Sequence, residues 1–159
     1  MLDKIKIAVD AMGGDGSPKK IIDGISLHQK KSKNTFYNIF GDKNLISGLL
    51  PKNLNEDNCK IFHTTEKVIG NDTPLGAAKR GKNTSMWLAI ESVKNKNSDI
   101  VISAGNTGAL LVLAKLNLEM IENIDKPALS ALWPNKKGMN VVLDLGAYIE
   151  CSEKNLINS

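Results

Sequence analysis

The stretch Ser103-Ala104-Gly105-Asn106-Thr107-Gly108-Ala109-Leu110 gathers a serine, an amide, a hydroxyl and two glycines within eight residues. Glycine on either side of Asn106 and Thr107 lets backbone N–H groups come close to a ligand, because no Cβ stands in the way. Asp99 to Ser103 before it reads as a strand. The apolar pattern after it, Ala109 to Glu122, reads as the longest helix of the chain. The positive end of that helix dipole faces the turn, and the combination suits an anion such as phosphate. Any βα connection in a parallel sheet also favours glycine, so this stretch alone leaves both readings open.

Two further runs repeat the order of strand, acid and glycine. Lys4 to Asp10 is a strand, Ala11-Met12-Gly13-Gly14-Asp15-Gly16 a turn, and Ser17-Pro18 an N-cap with proline at the first helical position. Asp144-Leu145-Gly146-Ala147 closes a later apolar run. If the three strands are parallel neighbours, Asp10, Gly13, Gly14, Ser103, Gly105, Gly108, Asp144 and Gly146 share the carboxyl edge of the sheet. Open α/β sheets bind their ligands there. Ser103, Asn106 and Thr107 are neutral donors able to polarise a carbonyl oxygen. Carboxylates beside an anion raise its energy unless a cation or a proton intervenes. Asp15 therefore reads as a helix cap, while Asp10 and Asp144 are open between capping, orienting a lysine and holding a metal.

Positive charge is at hand in Lys79-Arg80-Gly81-Lys82, which is otherwise a solvated loop. His63 ends a third strand and can face the same edge, or serve structurally. Familiar nucleotide signatures fail. Gly76 to Lys82 has P-loop spacing, but Asn83 replaces the hydroxyl that binds Mg²⁺. Lys19 stands where the last glycine of a dinucleotide fingerprint would follow Gly14 and Gly16. No Gly-x-Ser-x-Gly turn occurs. Neither a cofactor nor a metal site is expected.

The elements that must position these residues alternate between strand and helix. The first helix carries Ile21, Ile22, Ile25 and Leu27 as an apolar stripe and ends at Lys30 to Asn34. Phe36 to Phe40 is the second strand, Gly41-Asp42 opens a short helix reaching Leu50, and Lys60 to Phe62, or from Cys59, is the third strand. Gly70 to Asn83 reads as irregular. A helix from Thr84-Ser85 presents Met86, Trp87, Leu88, Ile90 and Val93 and leads to Asp99 to Ser103, read as the central strand. Ala128 to Leu132 and Met139 to Leu145 are the last strands, joined by Trp133 to Gly138 as an antiparallel hairpin. Ser152-Glu153 starts a helix of about two turns, too short to stand alone in water. The fold class is thus α/β: a mostly parallel, doubly wound three-layer αβα sheet of Rossmann-like type, incomplete, with an added hairpin.

At 159 residues, with 42% hydrophobic and 24% charged, the chain can bury one real core. No apolar run has membrane-span length and no signal-like stretch precedes the first strand, so a cytoplasmic chain is expected. Cys59 and Cys151 lack ligand spacing. A net charge of +4 favours acidic partners, but scattered lysines and 4% aromatics give nucleic-acid binding little support.

Taken together, Val9-Asp10-Ala11-Met12-Gly13-Gly14-Asp15, Thr84-Ser85-Met86, Ser103 to Leu110, Asp125-Lys126-Pro127-Ala128 and Val142-Leu143-Asp144-Leu145-Gly146-Ala147 resemble the PlsX family. Its members are phosphate acyltransferases of bacterial phospholipid synthesis. The sequence departs from the pattern at Gly16, Gly81 and Tyr148. The resemblance implies that residues 1–159 are the amino-terminal part of a single α/β acyltransferase domain whose carboxy-terminal half is missing. It implies transfer of an acyl group from an acyl carrier protein thioester to inorganic phosphate. Catalytic roles would fall to Asn106, Thr107, Lys82 and His63, with substrate binding by Asp10, Gly13, Gly14, Ser103, Gly105, Gly108, Asp144 and Gly146. Family membership further implies a homodimer, and product delivery to a membrane acyltransferase. A related enzyme using coenzyme A thioesters and a non-catalytic fragment that binds phosphate are the rival expectations.

Overall fold

The computed structural model describes residues 4–69, 73–79, 81–122 and 127–143. Its elements are β1 (Ile5–Asp10), α1 (Lys19–Lys31), β2 (Thr35–Gly41), α2 (Lys43–Ser47), β3 (Cys59–His63), α3 (Pro74–Lys79), α4 (Ser85–Lys94), β4 (Ile100–Ser103), α5 (Thr107–Asn117), β5 (Ser130–Asn135) and β6 (Gly138–Leu143). They fall into two compact units, Met1–Leu118 and Glu119–Ser159.

In the first unit, four strands pair in the order β3-β2-β1-β4, every pair parallel. The chain moves outward from β1 to β3, then returns across the sheet to place β4 on the free side of β1. Alternation along the strands sends Ile7 and Val9 to one face and Ala8 to the other. Ile22 and Ile25 of α1 and Ile46 of α2 pack with Ile7, Val9, Tyr37 and Ile39. On the opposite face Ala89, Leu88 and Val93 of α4 meet Ala8, Phe40 and Val101. α5 lies against α4 through Ala109, Leu113, Met86 and Ile90. The sheet is therefore doubly wound, with helices on both faces. Full burial of an isoleucine such as Ile22 contributes about 1.5–3 kcal/mol.

Several expectations shift. β4 is an outer strand among the described residues, as is β3, with Ile100 and Ile102 half exposed, while β1 and β2 are central. A continuous apolar run signals a strand but carries no information on its rank in the sheet. Leu27 lies on the solvent face of α1, where Ser26 and Gln29 are buried instead. α1 begins at Lys19 with Pro18 as its cap residue, one position later than read from Ser17-Pro18. α3 forms within the stretch taken as irregular, and α5 stops at Asn117, five residues before Glu122.

In the second unit β5 and β6 pair antiparallel with Asn135 opposite Gly138, so the turn is Lys136-Lys137 and the strands are longer than expected at that end. Among the described residues no helix is long and apolar enough to cross a membrane.

Candidate functional site

Strand order defines where a ligand can enter. β1 and β4 are neighbours whose outgoing helices, α1 and α5, lie on opposite faces, which makes their carboxyl ends the topological switch point of the sheet. The loops that start there are those of Gly13-Gly14 and Gly105-Asn106.

Asp10, the last residue of β1, stands opposite Ser103, the last of β4, and is 1% exposed. Its Oδ2 accepts from Ser103 Oγ at 2.7 Å. Its Oδ1 accepts from Ser85 Oγ at 2.6 Å and from the Met12 amide at 3.2 Å. Ser103 Oγ in turn accepts from the Gly105 amide at 3.1 Å. One carboxylate thus ties β1, β4, the first turn of α4 and both glycine loops. Both of its oxygens accept bonds from within the protein, so in this structure Asp10 acts as an internal clamp.

Glycines let the loops close on this clamp. A Cβ on Gly13 would stand 2.5 Å from Asp10 Oδ2 and 2.9 Å from the Gly105 nitrogen. One on Gly105 would meet Met86 Cε at 2.7 Å. Gly14 has φ +83° and its Cβ position runs into the Ala104 carbonyl oxygen. Gly13 and Gly105 are therefore packing glycines, and the Gly105 amide points inward to Ser103 rather than toward a ligand. Ser17 Oγ lies 2.7 Å from the Gly14 carbonyl and 2.9 Å from that of Met12, and its one proton holds the first loop through either.

Asn106 caps α5: its Oδ1 accepts from the Ala109 amide at 2.9 Å. The Leu110 amide donates to the Asn106 carbonyl. The amides of Thr107 and Gly108 precede the helical ladder and form its open positive end, and Thr107 itself is exposed. Replacing Asn106 by alanine is expected to remove about 1 kcal/mol of stability through loss of the cap, read as a lower urea midpoint.

Between the two loops is a cavity of about 170 Å³ lined by Gly14, Asp15, Lys67, Val68, Gly105 and Asn106, among others. Pockets for drug-sized molecules run to roughly 300–1,000 Å³, so this one suits a small ion. Lys67 is the cation at this wall, and no motif in the sequence marks it. Its backbone is pinned on both sides. The Glu66 carbonyl accepts from the Ser85 amide at 3.0 Å, and Val68 packs into the core with Met86 and Trp87. Buried Thr64 adds a bond from its Oγ1 to the Asn83 carbonyl at 2.5 Å. Only a signal for a turn fixed by two buried residues, Thr64 and Val68, could have found it. Larger hollows among the described residues include one of about 590 Å³ around Lys4, Lys6 and Lys96 at the amino end of β1, and one of about 520 Å³ around Phe36, Leu50 and Ile61 beside β3.

The other expected residues stand apart from this cavity or outside the described residues. His63 ends β3, two strands from β1. Its Nδ1 accepts from the Lys43 amide at 3.1 Å and lies 3.9 Å from Asp42 Oδ1. A nitrogen that accepts from an amide carries no proton there, so Asp42 is a neighbour rather than an ion-pair partner. Lys82 holds its ammonium 5.9 Å over the Trp87 ring. Asp15 does not cap α1, which has no side-chain cap. Asp144 and Gly146, the third glycine turn, lie outside the described residues, as do Arg80 and Tyr148.

Comparison with known proteins decides the family. A family model described as "Fatty acid synthesis protein" matches residues 5–159. The chain belongs to the fatty acid synthesis protein family. This is the PlsX family that the ordered motifs resemble. A phosphate acyltransferase of Pelagibacter ubique is 72% identical over 154 residues, covering 97% of this chain and 46% of the relative. Those of Bradyrhizobium diazoefficiens and Rhodospirillum rubrum are each 41% identical over 99% of this chain and 45% of their own length. The chain spans somewhat less than half the length of these curated relatives of the fatty acid synthesis protein family.

Proposed function

We propose that residues 1–159 are the amino-terminal part of a single α/β acyltransferase domain that moves an acyl group from acyl-acyl-carrier-protein to inorganic phosphate, for phospholipid synthesis. The observation that carries this reading is the small cavity at the β1/β4 switch point, set between the open end of α5 and Lys67. The relatives' common name, phosphate acyltransferase, supports it.

In this reaction phosphate is itself the nucleophile. A phosphate oxygen attacks the thioester carbonyl carbon, the new C–O bond forms, and the C–S bond breaks with its electron pair leaving on sulfur. The protein must place phosphate and stabilise the tetrahedral oxyanion. The amides of Thr107 and Gly108, the Thr107 hydroxyl, Asn106 and the Gly14 loop supply polar groups, while Lys67 supplies charge. A thiolate leaves without an obligatory proton, so the scheme does not call on His63. The carrier protein is acidic, and a net charge of +4 favours that encounter. A cytoplasmic homodimer that passes acyl phosphate to a membrane acyltransferase completes the proposal.

Phosphate-dependent thiol release from acyl-acyl-carrier-protein tests it, on this chain beside one extended to the length of its relatives. Activity in the extended chain is expected, with acyl-coenzyme A a poorer donor. Faster turnover of the coenzyme A thioester would favour the related acetyltransferase-like reading. Silence in both chains would leave at most a phosphate-binding piece.

A further inference from the structure

Two charged residues of opposite sign line the cavity, Asp15 and Lys67. An acid is out of place in a plain anion cradle. Capping does not explain it, because α1 starts four residues later with no side-chain cap. Asp10 differs in kind: it is buried and spent on Met12, Ser85 and Ser103. Asp15 is exposed at the cavity, on a loop whose course is fixed by Gly14 against Ala104 and by Ser17.

We propose that Asp15 is the residue by which this site chooses among oxyanions, accepting a hydrogen bond from a protonated oxygen of the bound ion while Lys67 balances its charge. The inference rests on the phosphate reading above. Inorganic phosphate carries at least one proton at neutral pH; sulfate, of the same shape and size, carries none. Toward a protonated oxygen a carboxylate is a strong acceptor, and the O–H···O⁻ bond is among the shorter and stronger kinds. Toward a bare oxygen it is a like charge. The same residue therefore attracts one ion and repels the other. Lys67, with its backbone held by Ser85 and Val68, contributes to both ions alike.

Titration calorimetry with inorganic phosphate and with sulfate, at constant ionic strength, tests this on the 159-residue chain, on Asp15→Asn and on Lys67→Met. The unaltered chain is expected to prefer phosphate by ~10-fold or more, the equivalent of one charge-assisted hydrogen bond. Asp15→Asn should reduce the preference to about 2-fold or less, largely by gaining sulfate. Lys67→Met should weaken both anions. Asp15 is exposed, so its variant should melt with the parent, and the melts confirm that both fold alike. Equal affinity for the two ions, or a preference that survives Asp15→Asn, overturns the inference while leaving phosphate binding intact. Binding of neither ion removes the phosphate reading itself and the inference with it.

Discussion

Asp10→Ala is expected to lower the unfolding free energy by ~3 kcal/mol or more, and to abolish phosphate binding with it. The substitution strips three donors of their acceptor: Ser85 Oγ, Ser103 Oγ and the Met12 amide. Hydrogen bonds to a charged group contribute roughly 1.5–3 kcal/mol each, and the donors left behind in a dry place carry a further penalty. Asp10→Asn keeps one acceptor oxygen but turns an NH₂ donor toward a donor, so an intermediate loss follows. Ser85→Ala and Ser103→Ala should each do less than Asp10→Ala, and their effects should not add to it, because all three act on one network. Urea unfolding followed by circular dichroism reads the differences. A midpoint for Asp10→Ala within error of the parent would refute the clamp.

Gly14→Ala should have the next largest effect. Its φ of +83° lies where an L-residue costs about 1–2 kcal/mol, and the added methyl is driven into the Ala104 carbonyl oxygen, a backbone atom that cannot swing aside. Either the first loop retreats from β4 or Ala104 does, and both deform the cavity wall. Loss of ~2 kcal/mol or more and at least ~10-fold weaker phosphate binding are expected. Gly24→Ala is the internal control. Gly24 lies in α1 with nothing within 4 Å of a new Cβ, so alanine there should be neutral or stabilising by up to ~1 kcal/mol. Parallel melts and phosphate titrations of the two variants check the contrast, and equal behaviour would sink it.

Much of this architecture was legible in the chain. The β-rich runs Ile5–Asp10 and Thr35–Gly41 and the helix start at Thr84-Ser85 ahead of Met86 and Trp87 announce β1, β2 and α4. Both glycine loops at the switch point were legible for the same reason: glycine marks where backbones must approach. What each glycine approaches was not. Gly105 looked like a ligand-facing amide, and in the fold that amide serves Ser103. Asn106 read as a donor, yet an asparagine before an apolar helical run is also a cap, and its oxygen is used that way. The edge position of β4 depends on strand order, which no local pattern encodes. Lys67 was illegible because its neighbours at the cavity, Gly14 and Asn106, are far away in sequence and meet it only through the crossover. His63 ends a strand as its sequence context announces, but that strand is β3, two away from β1, and there the Lys43 amide donates to its Nδ1.

The Asp10 clamp also sets an order of events during synthesis. Asp10 emerges early from the ribosome, whereas its side-chain partners follow 75 and 93 residues later. Until Ser85 has been made the carboxylate has only the nearby Met12 amide, and until Ser103 follows its Oδ2 has no partner, so β1 cannot be sealed without burying a poorly compensated charge. Contacts of such long range form slowly, since the loop between them must first be closed. The nascent chain therefore keeps the carboxyl end of β1 open until α4 and then β4 are at hand, and the clamp closes only when both have been made.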